Sequence, residues 1–188
     1  MVSGLSQSQM DYSPGRGQWS IAQLLEHLLL SERITRNDVA ELIQMAKAGR
    51  EPALYRSAAD FDVAPFFIPK PLLRYAELPF AFLSLFLPNR VRELVLRYVI
   101  VPARAATAAT PLEVRAANEL REVLASSLNE TESLFAANPD LDYGKMIHRH
   151  PLLGTQTVPQ LLRTLALHEE RHLDQIVDLL RGMIVNAA

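Results

Sequence analysis

The chain has 188 residues, of which 49 % are hydrophobic and 21 % charged, and its formal net charge at pH 7 is −2. This composition is typical of one folded globular domain and excludes a disordered chain. Because there is no basic surplus to neutralise phosphates, we expect no nucleic-acid partner.

Residues 1–17 are polar and lack the apolar stretch of a signal peptide, so we expect a flexible tail before a single domain within residues 1–188. The most apolar run, residues 78–87, contains Pro79 and has about half the length needed to span a bilayer. Cysteine is absent, which excludes disulfides and a cysteine nucleophile and fits a reducing compartment. We therefore predict a soluble cytoplasmic protein without a membrane partner.

The first long helix has a clear start. Ser20 is followed three residues later by Gln23, a capping-box pattern that precedes an apolar run. The helix should run from about Ile21 to Ala48, because Gly49 is a favoured residue just past a helix end.

The segment from residue 51 to residue 109 contains seven prolines, which divide it into short pieces. We expect helical pieces near residues 72–87 and 90–100. No alternation or hairpin turn is clear anywhere in the chain, so strands are improbable. The pattern predicts an all-α fold, most simply a four-helix bundle with a long Pro-rich crossover.

Two further helices are predicted after this segment, each from a cap followed by proline in the first turn and an acidic or amide side chain. The earlier should reach about Ala136, and the later should end near Arg181, with Gly182 beyond it. Their start signals are Thr110, Pro111 and Glu113 for the earlier helix, and Thr157, Pro159 and Gln160 for the later one.

The last helix carries His168 and His172, four residues apart and therefore on one helix face. Both lie in or beside its apolar arc, where an unpartnered imidazole is costly. A metal ion would satisfy both side chains, although hydrogen bonds to neighbours such as Glu169 or Asp174 would do so as well.

A third histidine, His27, lies at the edge of the apolar stripe of the first helix and can face the same interior. With His168 and His172 it would form a facial three-nitrogen site. Three protein ligands leave positions for water or substrate, as in catalytic metal sites. His148 and His150 are expected in a surface loop, where His150 could line the mouth of the site.

Two segments resemble the signatures of the DinB/YfiT-like family of metal-dependent enzymes. Residues 19–28 read WSIAQLLEHL, and the closing segment contains HPLLG at 150–154 and HEERHLDQ at 168–175. The two signatures enclose most of the chain. The resemblance implies a four-helix up-down-down-up bundle that holds a divalent metal, commonly zinc or nickel, with iron also compatible. The implied ligands are His27, His168 and His172.

Further expectations follow from this resemblance. Arg171 and Gln175 match the closing signature and would support the metal ligands, with Gln175 orienting His172 or a metal-bound water and Glu26 pairing with Arg171. Family members of known activity include thiol-dependent S-transferases, which implies a small thiol and an electrophile as substrates; a homodimer is also plausible. Two alternatives stay open, a non-catalytic metal-binding bundle active in stress response or binding, and a metal-dependent hydrolase with Glu169 or Glu170 as base.

Overall fold

The computed structural model describes residues 4–57, 109–111, 115–150 and 154–186, which are mainly helical. This confirms the helical character of the fold, while the predicted pieces at 72–87 and 90–100 lie outside the described residues. No helix in the described part of the chain is long and apolar enough to cross a membrane. The elements in chain order are α1 (Gln7–Met10), α2 (Ile21–Lys47), β1 (Ala53–Tyr55), α3 (Ala117–Ala136), a 3-10 turn (Tyr143–Lys145), β2 (Ile147–His150), β3 (Gly154–Thr157) and α4 (Val158–Asn186).

Helix α2 begins and ends as the sequence predicts. The Ser20 hydroxyl accepts a hydrogen bond from the Gln23 backbone N–H at 3.2 Å, and the Gln23 side-chain oxygen accepts one from the Ser20 N–H at 2.9 Å. This reciprocal box satisfies two amides that have no partner inside the helix. At the other end Gly49 has a φ of 68°, a conformation that glycine adopts without strain.

Helix α3 ends at Ala136 as predicted but begins at Ala117, well after the predicted start. Its cap residue Ala116 offers no side-chain hydrogen bond. Instead the Gln7 side-chain oxygen, from the N-terminal segment, accepts from the Ala117 N–H at 2.8 Å. The predicted start at Thr110 and Pro111 was wrong. The observed start is stabilised by Gln7, which is distant in sequence, and not by a capping side chain next to the helix.

Helix α4 starts as predicted, with the Thr157 N–H donating to the Gln160 side-chain oxygen at 2.9 Å. The predicted end at Arg181 was wrong, because the helix continues through Gly182 to Asn186. A glycine inside a helix costs only about 1 kcal/mol relative to alanine. Neighbouring Leu179 and Leu180 pack against the core, and this packing offsets such a cost.

Part of the N-terminal segment packs on the core. Helix α1 has its own capping box between Ser6 and Gln9. Met10 is fully buried, and Leu5 joins the same apolar cluster. Apolar packing by Leu5 and Met10 and the hydrogen bond between Gln7 and Ala117 together hold this segment on the core.

A small three-stranded sheet corrects the prediction that strands are improbable. Strand β1 pairs in parallel with β2, and β2 pairs antiparallel with β3. His148 lies opposite Gln156 in the β2–β3 register. These strands have only three or four residues each, too few for an alternating pattern to be recognised in the sequence.

Two apolar clusters lie among the described residues, and they show that α2 and α4 run antiparallel. The start of α2 packs with Ile176 in the second half of α4, whereas the end of α2 packs with the first turn of α4. The histidines of interest lie on these two helices. The first cluster contains Leu5, Met10, Ile21, Ala22, Leu24, Leu25, Leu29, Ala117, Leu120 and Ile176, and the second contains Val39, Leu42, Ile43, Leu54, Met146, Val158 and Leu161.

Candidate metal centre

The imidazole of His27 is buried and held in one orientation. Its Nδ1 lies 2.7 Å from the backbone oxygen of Ala109. Because a carbonyl oxygen only accepts hydrogen bonds, Nδ1 carries the proton and donates it. The other ring nitrogen, Nε2, is left with a free lone pair.

The predicted three-histidine cluster is present, with its Nε2 atoms turned toward one another. The Nε2 of His168 lies 3.2 Å from that of His27 and 3.1 Å from that of His172. All three residues offer ligand atoms within 4.8 Å of one another, so the cluster can hold a metal ion. Helices α2 and α4 thus bring together side chains that are 141 residues apart in sequence.

These separations match the spacing of ligands around one ion. Metal–nitrogen bonds of about 2.1 Å place two ligand nitrogens roughly 3.0 Å apart at a right angle and roughly 3.4 Å apart at a tetrahedral angle. The observed 3.1 Å and 3.2 Å fall between these limits. The geometry therefore fits tetrahedral or higher coordination.

The protonation pattern of the rings also favours a cation. His172 Nδ1 lies 3.1 Å from the side-chain oxygen of Gln175, which fixes the proton on Nδ1 and leaves Nε2 as a lone pair. Two lone pairs, from His27 and His172, then face the Nε2 of His168. That atom can donate a proton to only one of them, whereas a cation accepts from all three nitrogens.

The three imidazoles are poised as neutral ligands. Burial lowers the pKa of His168 to about 3, with His172, His27 and Arg171 acting in the same direction. Burial and the charge of His27 lower the pKa of His172 to about 4. Burial likewise lowers the pKa of His27, against the hydrogen bond to Ala109. Metal binding at neutral pH would therefore require no release of protons from these rings.

Trp19 packs on the cluster, a contact that was not predicted from the sequence. Its ring centroid lies 5.0 Å from that of His27, and it also contacts the first apolar cluster. The sequence feature that could have indicated this contact is a tryptophan immediately before the helix cap Ser20. An apolar wall of this kind limits water near a metal site and lowers the local dielectric.

The residues that were expected to support the metal ligands differ in the contacts they make. The side-chain oxygen of Gln175 lies 3.1 Å from His172 Nδ1. Glu26 forms its ion pair with Arg115 rather than with Arg171. Arg171 is partly buried, and its charge lowers the pKa of each of the three histidines. Glu170 is exposed.

His148 and His150 are not surface-loop residues, which corrects that expectation. Both lie on β2, with ring centroids 6.4 Å apart, and His148 is fully buried. The Nε2 of His148 lies 2.9 Å from Asp38, which also accepts two hydrogen bonds from Arg56. These residues form a second polar cluster about 16 Å from His27, since Asp38 is eleven residues further along α2. His150 belongs to that cluster and not to the three-histidine site.

A mainly helical fold with an interior three-histidine cluster defines the class: a helical protein that can hold a metal ion. A family model for the DinB superfamily matches residues 1–176, and the chain therefore belongs to this superfamily. Among curated proteins and solved structures, nothing matches this chain significantly.

Proposed function

We propose that this protein is a divalent-metal-dependent enzyme that transfers a low-molecular-weight thiol to an electrophilic small molecule. The proposal rests mainly on the geometry of His27, His168 and His172, whose imidazoles are neutral and whose Nε2 atoms point toward one another. Three protein ligands leave coordination positions open for an exogenous ligand. Membership of the DinB superfamily supports a metal-binding role.

When bound, a divalent cation with open positions lowers the pKa of a coordinating thiol, so that a thiolate is available at neutral pH. The chain has no cysteine, which is compatible with a thiol that arrives as a cosubstrate. In the transfer the thiol proton passes to solvent, a sulfur–carbon bond forms, and the leaving group departs with its electron pair. The protein holds the ion, orients His172 through Gln175 and excludes water with Trp19.

Several finer features belong to the same proposal. We propose zinc or nickel as the ion, as the family resemblance implies; nitrogen ligands alone are also compatible with iron or copper. We also propose the four-helix-bundle arrangement, a homodimer, and a reducing cytoplasmic setting that would keep the thiol cosubstrate reduced.

The metal site is tested by elemental analysis of protein purified without added metal, followed by titration of the metal-free protein with zinc, nickel and cobalt. Trp19 is the only tryptophan, so its fluorescence should respond to binding at the neighbouring His27. His168→Ala and His172→Ala should each abolish stoichiometric binding. His150→Ala is the matched control and should bind normally; equal binding by all variants would refute the site.

Catalysis is tested with the metal-loaded protein, small thiols, and chromogenic electrophiles such as 1-chloro-2,4-dinitrobenzene. We expect turnover that depends on both metal and thiol and is lost in His168→Ala. Metal binding without any thiol-dependent turnover across the panel would favour the non-catalytic alternative. Hydrolysis without thiol, lost in Glu169→Gln, would favour the hydrolase.

A further inference from the structure

Arg171 differs from every other partly buried arginine in the described part of the chain. Five arginine side chains there are partly buried, and four of them have hydrogen-bonding or ion-pair partners. Arg171 forms neither an ion pair nor a hydrogen bond with any described residue. The partnered side chains are Arg36 with Glu32 and Glu130, Arg56 with Asp38 and Glu41, Arg115 with Glu26 and Glu119, and Arg121 with Asn118 and the Leu5 oxygen.

Arg171 also lies beside the metal centre. It precedes His172 directly and is three residues from His168, so the Cβ atoms of residues 168 and 171 are about 5–6 Å apart on the helix surface. His168, Arg171 and His172 therefore share one face of α4, and the side chain of Arg171 is partly buried on it. Burial lowers the pKa of Arg171 itself.

The charges at this centre are unbalanced. Three neutral imidazoles would leave both charges of a divalent ion uncompensated, and Arg171 adds a third positive charge. Glu26, next to His27, is already paired with Arg115. Partly buried charges are normally paired, because desolvation of an unpaired charge is costly. Glu32 is engaged by Arg36 and Thr131, and Glu169 can offset at most one of the three positive charges. The remaining negative charge would therefore come from the ligand that enters the site.

We infer that Arg171 binds an anionic group of the cosubstrate, so that the thiol used by this enzyme is a small thiol bearing a carboxylate. The planar guanidinium can donate two parallel hydrogen bonds to a carboxylate. The ligand would then be held at two points, with sulfur at the open metal position and its carboxylate on Arg171. This inference rests on the proposed function and specifies its substrate class.

The test uses cobalt-loaded protein and two thiols of equal chain length, 3-mercaptopropionate and 3-mercapto-1-propanol. Binding is followed by the near-ultraviolet sulfur-to-cobalt absorption band. Wild-type protein should bind the carboxylate thiol at least about tenfold more tightly, as expected for a hydrogen-bonded charge pair. Arg171→Gln should reduce this preference about tenfold, with cobalt stoichiometry unchanged.

Arg181→Gln is the matched control, since Arg181 lies on the same helix, is largely exposed and pairs with Asp178. It should keep the wild-type preference. A carboxylate can also coordinate the cobalt ion directly, which would give the same preference for 3-mercaptopropionate. Only a preference that is lost in Arg171→Gln and kept in Arg181→Gln is due to Arg171. If Arg171→Gln does not fold, Arg171→Lys replaces it; the lost bidentate geometry should then lower the preference by at least about threefold.

The outcomes separate this inference from the proposed function. If wild-type protein fails to bind cobalt, or binds cobalt but neither thiol, the proposed function fails and the inference with it. If both thiols bind and Arg171→Gln keeps the wild-type preference, the role of Arg171 is refuted while the thiol-binding metal centre stands.

Discussion

At the scale of single residues, the hydrogen bonds on the remote ring nitrogens decide what the three histidines can do. Ala109 holds the proton of His27 on Nδ1, and Gln175 does the same for His172. Both Nε2 atoms are therefore unprotonated and carry a free lone pair before any ion binds. Such outer partners fix ring orientation and raise ligand basicity.

Gln175→Ala should weaken metal affinity by roughly 10–100-fold, because His172 loses the acceptor that orients it. Gln175 is exposed, so the free energy of unfolding of the metal-free protein should change little. Competition with a chromogenic chelator measures the affinity, and urea denaturation measures the stability. Asp174→Ala, an exposed neighbour, is the control; equal affinity in the two variants would contradict the orienting role of Gln175.

At the scale of elements, two polar attachments join the helices and the sheet. Arg36 of α2 reaches Ser127 and Glu130 of α3. Asp38 of α2 binds His148 of β2 and Arg56 just after β1. Although burial raises the pKa of Asp38, hydrogen bonds from His148 and Arg56 outweigh it and hold this pKa below its usual value. The ionised carboxylate therefore attaches the sheet to α2.

Asp38→Ala should lower the free energy of unfolding at pH 7 by about 3 kcal/mol, because it leaves His148 buried without its carboxylate. Metal affinity should stay unchanged, since the three-histidine site lies about three helical turns away. Urea denaturation and metal titration measure the two effects. Asp178→Ala, which removes an exposed pair, should cost less than about 1 kcal/mol; an equal loss in both variants would refute the attachment.

An element could be predicted from the sequence where the signals that specify it are local. The capping box of Ser20 and Gln23 acts within four residues, and so α2 was predicted with its observed start. The start of α3 depends on Gln7, which is 110 residues from Ala117. The short strands owe their pairing to tertiary neighbours, and no local pattern of three or four residues specifies them.

At the scale of the whole molecule, buried neutral histidines make stability depend on pH. His150, His168 and His172 have pKa values lowered to about 3, 3 and 4, mainly by burial, and the pKa of His27 is lowered for the same reason. The unfolded chain binds protons at these residues near pH 6.5, before the folded chain does. Below that pH, protonation of these histidines in the unfolded chain lowers the free energy of unfolding; above it, they have no such effect.

Metal-free protein should lose stability as the pH falls from about 6.5 toward 4, through these histidines. The raised pKa of Glu169, due to burial and Glu32, acts in the opposite direction, but it is one carboxyl against four imidazoles. Urea denaturation at several pH values measures the trend. A variant with His168→Gln and His172→Gln should show a shallower decline; an identical decline would contradict the assignment to these two residues.

The sequence by itself determined the helical character, the bounds of α2, and the identity of the three clustered histidines. It could do so because helix caps and the spacing of His168 and His172 are local, and because His27 interrupts an apolar face. Only the tertiary structure decided that the Nε2 atoms converge, that Ala109 holds one ring in place, and that His148 and His150 belong elsewhere. Those features depend on contacts between residues far apart in the chain, such as His27 with Ala109 and His148 with Asp38.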